Sequence, residues 1–180
     1  MHSVLPIKHL AYIGLGANLN GPLAQLQSAL QHLERSPHIQ VTQCSHFYQS
    51  KPVGPADQPD YTNAVAKLST TLSPLSLLHT CQRIENEHGR IRTGTRWGPR
   101  TLDLDLLLYQ AQGEAKAEPA EKWLSLNSEE LCLPHPELRN RSFVVLPLFE
   151  IAPELELDSA TPLAVLAEKL SDELLVKLPV

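Results

Sequence analysis

Apolar positions in this chain come in short runs punctuated by glycine and proline, and the runs alternate between a period of two and a period of 3.6. Ala11 to Gly16 (AYIGLG) is an apolar run ending in glycines, which predicts a first strand running into a loop at Ala17 to Asn20. After Gly21-Pro22, Leu23, Leu26, Leu30 and Leu33 recur at helical spacing through Glu34, and Ser36-Pro37 ends the pattern. Ile39 to Tyr48 is β-rich and leads into SKPVGPADQP (50–59), whose prolines and glycine exclude regular structure and predict a long functional loop. Tyr61 to Thr70 alternates, with Thr62, Ala64, Ala66 and Leu68 on one face and Tyr61, Asn63, Val65 and Lys67 on the other. A half-buried strand is expected there, presenting Tyr61 and Asn63 together.

Ser73-Pro74 is a cap followed by a first-turn proline, and Leu77, Leu78, Cys81 and Ile84 then predict a second helix up to Gly89. An arginine-rich loop follows to Pro99, then a strand over Thr101 to Tyr109. The polar stretch 110–128 reads as a surface insertion, Leu131 to His135 as a short strand, and Phe143 to Phe149 as a further apolar segment. Leu163, Leu166, Leu170 and Leu174 predict a C-terminal helix within 162–180. The order β-α-β-β-α-β predicts an α+β fold of the ferredoxin-like split βαβ type, an αβα sandwich with an antiparallel or mixed sheet.

With 180 residues, 42% of them hydrophobic and 19% charged, the chain fits a single domain over 1–180 with a sizeable core. No stretch approaches the ~20 apolar residues of a membrane span, and the first nine residues lack a secretory signal, so a cytoplasmic protein without membrane contact is expected. Cys44, Cys81 and Cys132 are far apart, which suggests reduced thiols rather than a zinc site or disulfide framework. A net charge of −5 argues against a nucleic-acid binder. The distribution changes that picture locally. Five of the eight arginines (Arg83, Arg90, Arg92, Arg96, Arg100) fall within eighteen residues, with Arg139 and Arg141 further on, which on an acidic chain marks a site for an anion.

The chemistry concentrates in RWGPRTLDLDLLL (96–108). In a strand Asp103 and Asp105 share one face while Leu102, Leu104 and Leu106 fill the other, and their Cα atoms lie roughly 6.6 Å apart at ~3.3 Å per residue. Two carboxylates facing one space suit Mg²⁺, which takes a few carboxylate oxygens and leaves other positions to water and phosphates. A D-x-D pair is also compatible with a solvated edge strand, and the neighbouring arginines with ion pairs that neutralise the aspartates. A phenylalanine in an apolar run reads first as core, and a histidine after Pro134 equally as a turn residue.

YIGLGANL (12–19), FYQSKPVGPADQPDYTNA (47–64), QRIENEHGRIRTGTRWGPRTLDLDLLLY (82–109) and LPHPELRNRSFVVLPLFEIAPEL (133–155) resemble, in order, segments of the 6-hydroxymethyl-7,8-dihydropterin pyrophosphokinase family of folate biosynthesis. The resemblance implies transfer of a diphosphate from ATP to the pterin hydroxymethyl group, with attack on the β-phosphorus and AMP leaving. It implies two Mg²⁺ ions on Asp103 and Asp105, with Arg90 and Arg100 as catalytic arginines. A pterin pocket is implied at Ser50, Pro52, Val53, Tyr61, Asn63, Trp97 and Phe143. ATP contacts are implied at Gln82, Glu85, Arg92, Trp97, Arg100, His135 and Arg141.

A flat ring with a guanidine-like edge suits aromatic planes and an amide that both donates and accepts. Trp97, between Gly94 and Gly98, is expected on a loop that closes over the substrates. The chain departs from the family pattern at Lys51, where a proline is usual, at Thr93, where a basic residue is common, and in a longer stretch between Tyr109 and Leu131. ATP and the pterin are the expected partners of a monomer. The competing readings are a catalytically silent pterin- or nucleotide-binding paralogue, and a nucleotidyltransferase on the same sandwich.

Overall fold

The computed structural model describes residues 8–54, 57–91, 98–112, 123–158, 161–173 and 175–179. Its elements are β1 (His9–Ala17), α1 (Pro22–Glu34), β2 (Ile39–Cys44), β3 (Tyr48–Ser50), β4 (Tyr61–Thr70), α2 (Pro74–Glu87), β5 (Asp103–Gln110), β6 (Leu126–Asn127), β7 (Cys132–Leu133), α3 (Ser142–Ile151), β8 (Glu156–Asp158), β9 (Thr161–Pro162), α4 (Leu163–Lys169) and β10 (Val176–Lys177). The main sheet runs β10-β3-β4-β1-β5, with β2 also on β4. Every pairing is antiparallel. With β2 and β3 counted as one broken strand, this is the strand order of a split βαβ sandwich, as the element sequence predicts.

The two faces bury different cores. On one, Ala64, Ala66, Leu68, Leu102, Leu104 and Leu106 meet Leu26, Ala29 and Leu33 of α1 and Leu77, Cys81 and Ile84 of α2. On the other, Val65, Leu107 and Leu108 meet Val144, Val145 and Leu148 of α3, with Leu163 and Ala167 of α4 behind. The expectation of a half-buried β4 is thereby corrected: α3 covers its second face, and Thr62 through Ala66 are all buried. The apolar segment 143–149 is that covering helix. Its residues are apolar on nearly all sides, because it lies between the sheet and α4, so no periodicity marked it as a helix.

The predicted C-terminal helix is also corrected. Helix α4 stops at Lys169, and after a turn the chain returns to the main sheet as β10. Only part of 110–128 lies within the described residues, and its end turns inward: Trp123 is buried, donates from Nε1 to the Glu156 carbonyl at 2.7 Å, and stacks edge-on against Tyr12. Ser73 caps α2 as predicted, its hydroxyl accepting from the Ser76 N–H. Among the described residues no helix is long and apolar enough to cross a membrane.

Candidate functional site: a cleft between the sheet and the third helix

The cleft follows from the register of three strands. Gly16 of β1 lies between Asn63 of β4 and Asp103 of β5, and Gly14 lies between Val65 and Asp105. Alternation points all six positions to the α3 face. Because the middle strand carries no side chain at either position, a hollow remains between the amide and the carboxylates. A Cβ added at Gly16 would come within 3.3 Å of Asn63 Oδ1, so the hollow depends on that glycine. A register shift between Tyr12 and Ile13 marks a bulge in the β1–β5 pairing, and Leu107 joins Leu108 on the α3 side below the aspartates. Helix α3 forms the opposite wall, where Phe143 and Arg141 line the cleft and the Arg141 guanidinium lies 5.8 Å from the centroid of the Phe143 ring.

One half of the cleft is neutral. Asn63 is 4% exposed and donates from Nδ2 to Ser50 Oγ at 2.8 Å. Tyr61 donates its hydroxyl to the Gly98 carbonyl at 2.8 Å, which ties β4 to the end of the arginine-rich loop. Ser50, Lys51, Val53, Tyr61, Asn63 and Phe143 all line the space. Lys51, where the resemblance implied a proline, reaches back to both oxygens of Asp60 at 3.1 and 3.0 Å and so closes the base of the loop.

The other half is a chain of alternating charge. Glu85 of α2, 3% exposed, accepts the Leu104 N–H at 2.8 Å and pairs with Arg90. Arg90 pairs with Asp103, and Asp103 with Arg100. Burial works against the Arg90 charge, but Asp103 and Glu85 more than offset it and hold its pKa above the ordinary value. Asp105 sits apart from this chain, 3.7 Å from Arg141 Nη1 and 3.8 Å from His135 Nε2. Its carboxyl is pushed up to about 7, chiefly by burial among the cleft walls and next by the charge of Asp103, even though 36% of the side chain still faces the opening.

His135 accepts the Glu137 N–H at Nδ1 (3.2 Å), so its neutral ring carries the proton on Nε2, on the side of Asp105. Burial first, then Arg141, lowers its pKa and favours that neutral form. The ring is held by its own backbone, whose N–H donates to the Leu107 carbonyl on the outer edge of β5 at 2.9 Å.

The structure therefore brings together Asp103, Asp105, Arg90, Arg100, His135, Arg141, Tyr61, Asn63, Ser50, Val53 and Phe143. Pro52 and Gln82 do not line the cleft, and the Glu85 carboxylate is turned inward to Arg90 and the edge of β5. Arg92 and Trp97, with Thr93, lie outside the described residues. Among the described residues no group of three or more His, Cys, Asp or Glu is placed to hold a metal ion, so a cation on the aspartates would draw further ligands from water and substrate.

Sequence reasoning missed Asn18. Its Oδ1 accepts the Arg100 N–H at 2.8 Å, while its Nδ2 donates to Gln58 Oε1 (3.1 Å) and the Pro59 carbonyl (3.0 Å). One side chain thus fastens both flanking loops. The signal available was its place in YIGLGANL, an asparagine just beyond a strand that ends in glycines.

Comparison with known proteins identifies the family. The family model described as 7,8-dihydro-6-hydroxymethylpterin-pyrophosphokinase (HPPK) matches residues 12–153. A 2-amino-4-hydroxy-6-hydroxymethyldihydropteridine pyrophosphokinase of Haemophilus influenzae is 47% identical over 93% of this chain and 97% of its own length. The protein of the same name from Pseudomonas aeruginosa is 45% identical over 81% of this chain and 82% of its own. Among solved structures, the Plasmodium falciparum HPPK-DHPS wild type with STZ-DHP superposes with a TM-score of 0.65 at 15% identity. That match covers 93% of this chain but 44% of that longer one, and at such identity it bears on the fold alone. On the family match and these relatives, the chain belongs to the 7,8-dihydro-6-hydroxymethylpterin-pyrophosphokinase family.

Proposed function

We propose that the cleft is the active site and that its two halves divide the two substrates between them. The chain is an ATP-dependent pyrophosphokinase of folate biosynthesis, which transfers diphosphate from ATP to the hydroxymethyl group of 6-hydroxymethyl-7,8-dihydropterin. The observation that carries the division is the register across β4, β1 and β5, which sets an amide and a carboxylate pair one glycine apart on a common floor.

In this reading the pterin ring lies between Phe143 and Tyr61 with its polar edge on Asn63, and Ser50, Pro52 and Val53 close the side. Asn63 suits the task because its donor is already aimed by Ser50 and its strand is fixed on both edges, so little ordering remains to be done on binding. The phosphates of ATP lie across Arg90, Arg100, Arg141 and the Nε2–H of neutral His135, with Gln82 toward the nucleotide. Glu85 serves by holding Arg90 and β5 in place.

Asp103 and Asp105 fit two Mg²⁺ ions. They are oxygen donors on one face, and the Asp105 pKa is raised chiefly by burial and next by the charge of Asp103, the second of which a bound cation would relieve. When bound, the ions neutralise phosphoryl oxygens and orient the triphosphate. The hydroxymethyl oxygen forms a bond to the β-phosphorus and releases its proton to water, while the bond from the β-phosphorus to the α,β-bridging oxygen breaks and that oxygen leaves with AMP. No protein nucleophile is needed, so the chain's contribution is alignment and charge: Arg90 and Arg100 meet the charge that builds on the transferring group. The proposal extends to a cytoplasmic monomer folded as one domain. With Asp103, Asp105, Arg90 and Arg100 all in place, no observation favours the silent paralogue.

The test is turnover in Asp103→Ala and Asp105→Ala. Both are expected to stay folded and to lose about 10³-fold in kcat, with pterin affinity within a few-fold of wild type. Turnover within a few-fold of wild type in both would remove the pair from the mechanism.

A further inference from the structure

The segment after α4 is bonded to both walls of the cleft without lining it. Val176 and Lys177 pair with Gln49 and Tyr48 of β3, and the Leu178 N–H donates to the Phe47 carbonyl at 2.8 Å. Upstream of that strand, the Glu173 carboxylate accepts a hydrogen bond from Ser142 Oγ at the first residue of α3, between Arg141 and Phe143. The remaining edge of β3 pairs with β4 from Tyr48 opposite Asn63 to Ser50 opposite Tyr61, and Ser50 is the partner of the Asn63 amide.

We infer that this segment is a strap that sets the separation of the two walls and so positions Ser50 and Asn63 against Phe143 for the pterin ring. The inference rests on reading this half of the cleft as the pterin pocket. Strand β3 is only three residues long, too short to be held firmly by one neighbour, and β10 supplies its second. The first turn of α3 has no side-chain cap from Arg141, so Glu173 is the acidic group that anchors it. Eight residues along α3 from Ser142, Glu150 already joins the walls directly, accepting from the Tyr48 hydroxyl at 2.6 Å and the His46 N–H at 3.2 Å. The strap is the counterpart of that clamp at the cleft end. The carboxylates and Arg90 are held instead by β5 and α2, to which the strap makes no bond among the described residues, so its effect falls on the pterin half.

The experiment is steady-state kinetics on the full-length chain carrying Glu173→Ala and Leu178→Pro together. KM for pterin and for ATP are measured separately, alongside kcat and Tm. Pterin KM is expected to rise about tenfold, with ATP KM and kcat within about twofold, and Glu173→Gln, which keeps an acceptor, is expected to behave as wild type. An unchanged pterin KM with a lowered Tm would reduce the strap to a stabilising element and overturn the inference. If the double variant does not fold, Glu173→Ala and Leu178→Pro made singly carry the same test, each expected to raise pterin KM about threefold. Asn63→Ala is the control. If it raises pterin KM and the strap variants do not, the strap alone fails; if it leaves pterin KM unchanged, the pocket reading fails and the strap with it.

Discussion

The two halves of the cleft are built on opposite physical principles. The neutral half is finished before any ligand arrives: Asn63 is locked in a strand paired on both edges, its amide is aimed by Ser50, and the opposing helix is clamped by Glu150. The charged half is balanced only partly. Glu85, Arg90, Asp103 and Arg100 alternate in sign and satisfy one another, while Asp105 is left with the Arg141 guanidinium at 3.7 Å, the neutral His135 ring at 3.8 Å and a carboxyl raised to about 7. Recognition of a flat ring is served by rigidity, and phosphoryl transfer by a field that still has room for more positive charge.

The contrast can be broken most sharply at Arg100. Arg100→Ala should lower kcat by about 10²–10³-fold, the scale of losing one transition-state charge partner, while leaving pterin affinity nearly unchanged. Loss of pterin affinity instead of turnover would merge the two halves. The reciprocal change is smaller. Asn63→Ala should raise pterin KM by roughly tenfold, as expected for an unpaired buried group worth ~1–3 kcal/mol, with kcat nearly preserved under pterin saturation. A fall in kcat without a change in KM would move Asn63 into the chemistry.

The smallest effect is on stability, and its sign follows from Asp105. Its folded pKa is raised from the ordinary 3.8 to about 7, so the folded state holds a proton the unfolded state releases. That contribution is fully present below about pH 4 and is lost as pH rises through about 7. In metal-free protein, Asp105→Asn should therefore flatten the decline of Tm across this window relative to wild type. A steeper decline in the variant would contradict the assignment.

Much of this was legible in the sequence because a local period carried it. Alternation put Asp103 and Asp105 opposite Leu102, Leu104 and Leu106, and the structure keeps that division, with the leucines in the core under α1 and α2. The Ser73-Pro74 cap and the leucine spacing of both early helices were equally local. What stayed hidden depends on long-range partners. Helix α3 is apolar almost all round, so its identity depends on being enclosed by the sheet and α4. The two exposed residues of β10 have no pattern of their own and become a strand only through β3. Asn18 looks like any loop asparagine until Arg100, some eighty residues later, folds against it.

The central claim is diphosphate transfer in this cleft, and the most direct measurement is a product assay with ATP, Mg²⁺ and 6-hydroxymethyl-7,8-dihydropterin that separates AMP from ADP. The account predicts AMP and pterin diphosphate in equal amounts, formed only when the pterin is present. Accumulation of ADP would contradict it, since that product requires attack on the γ-phosphorus.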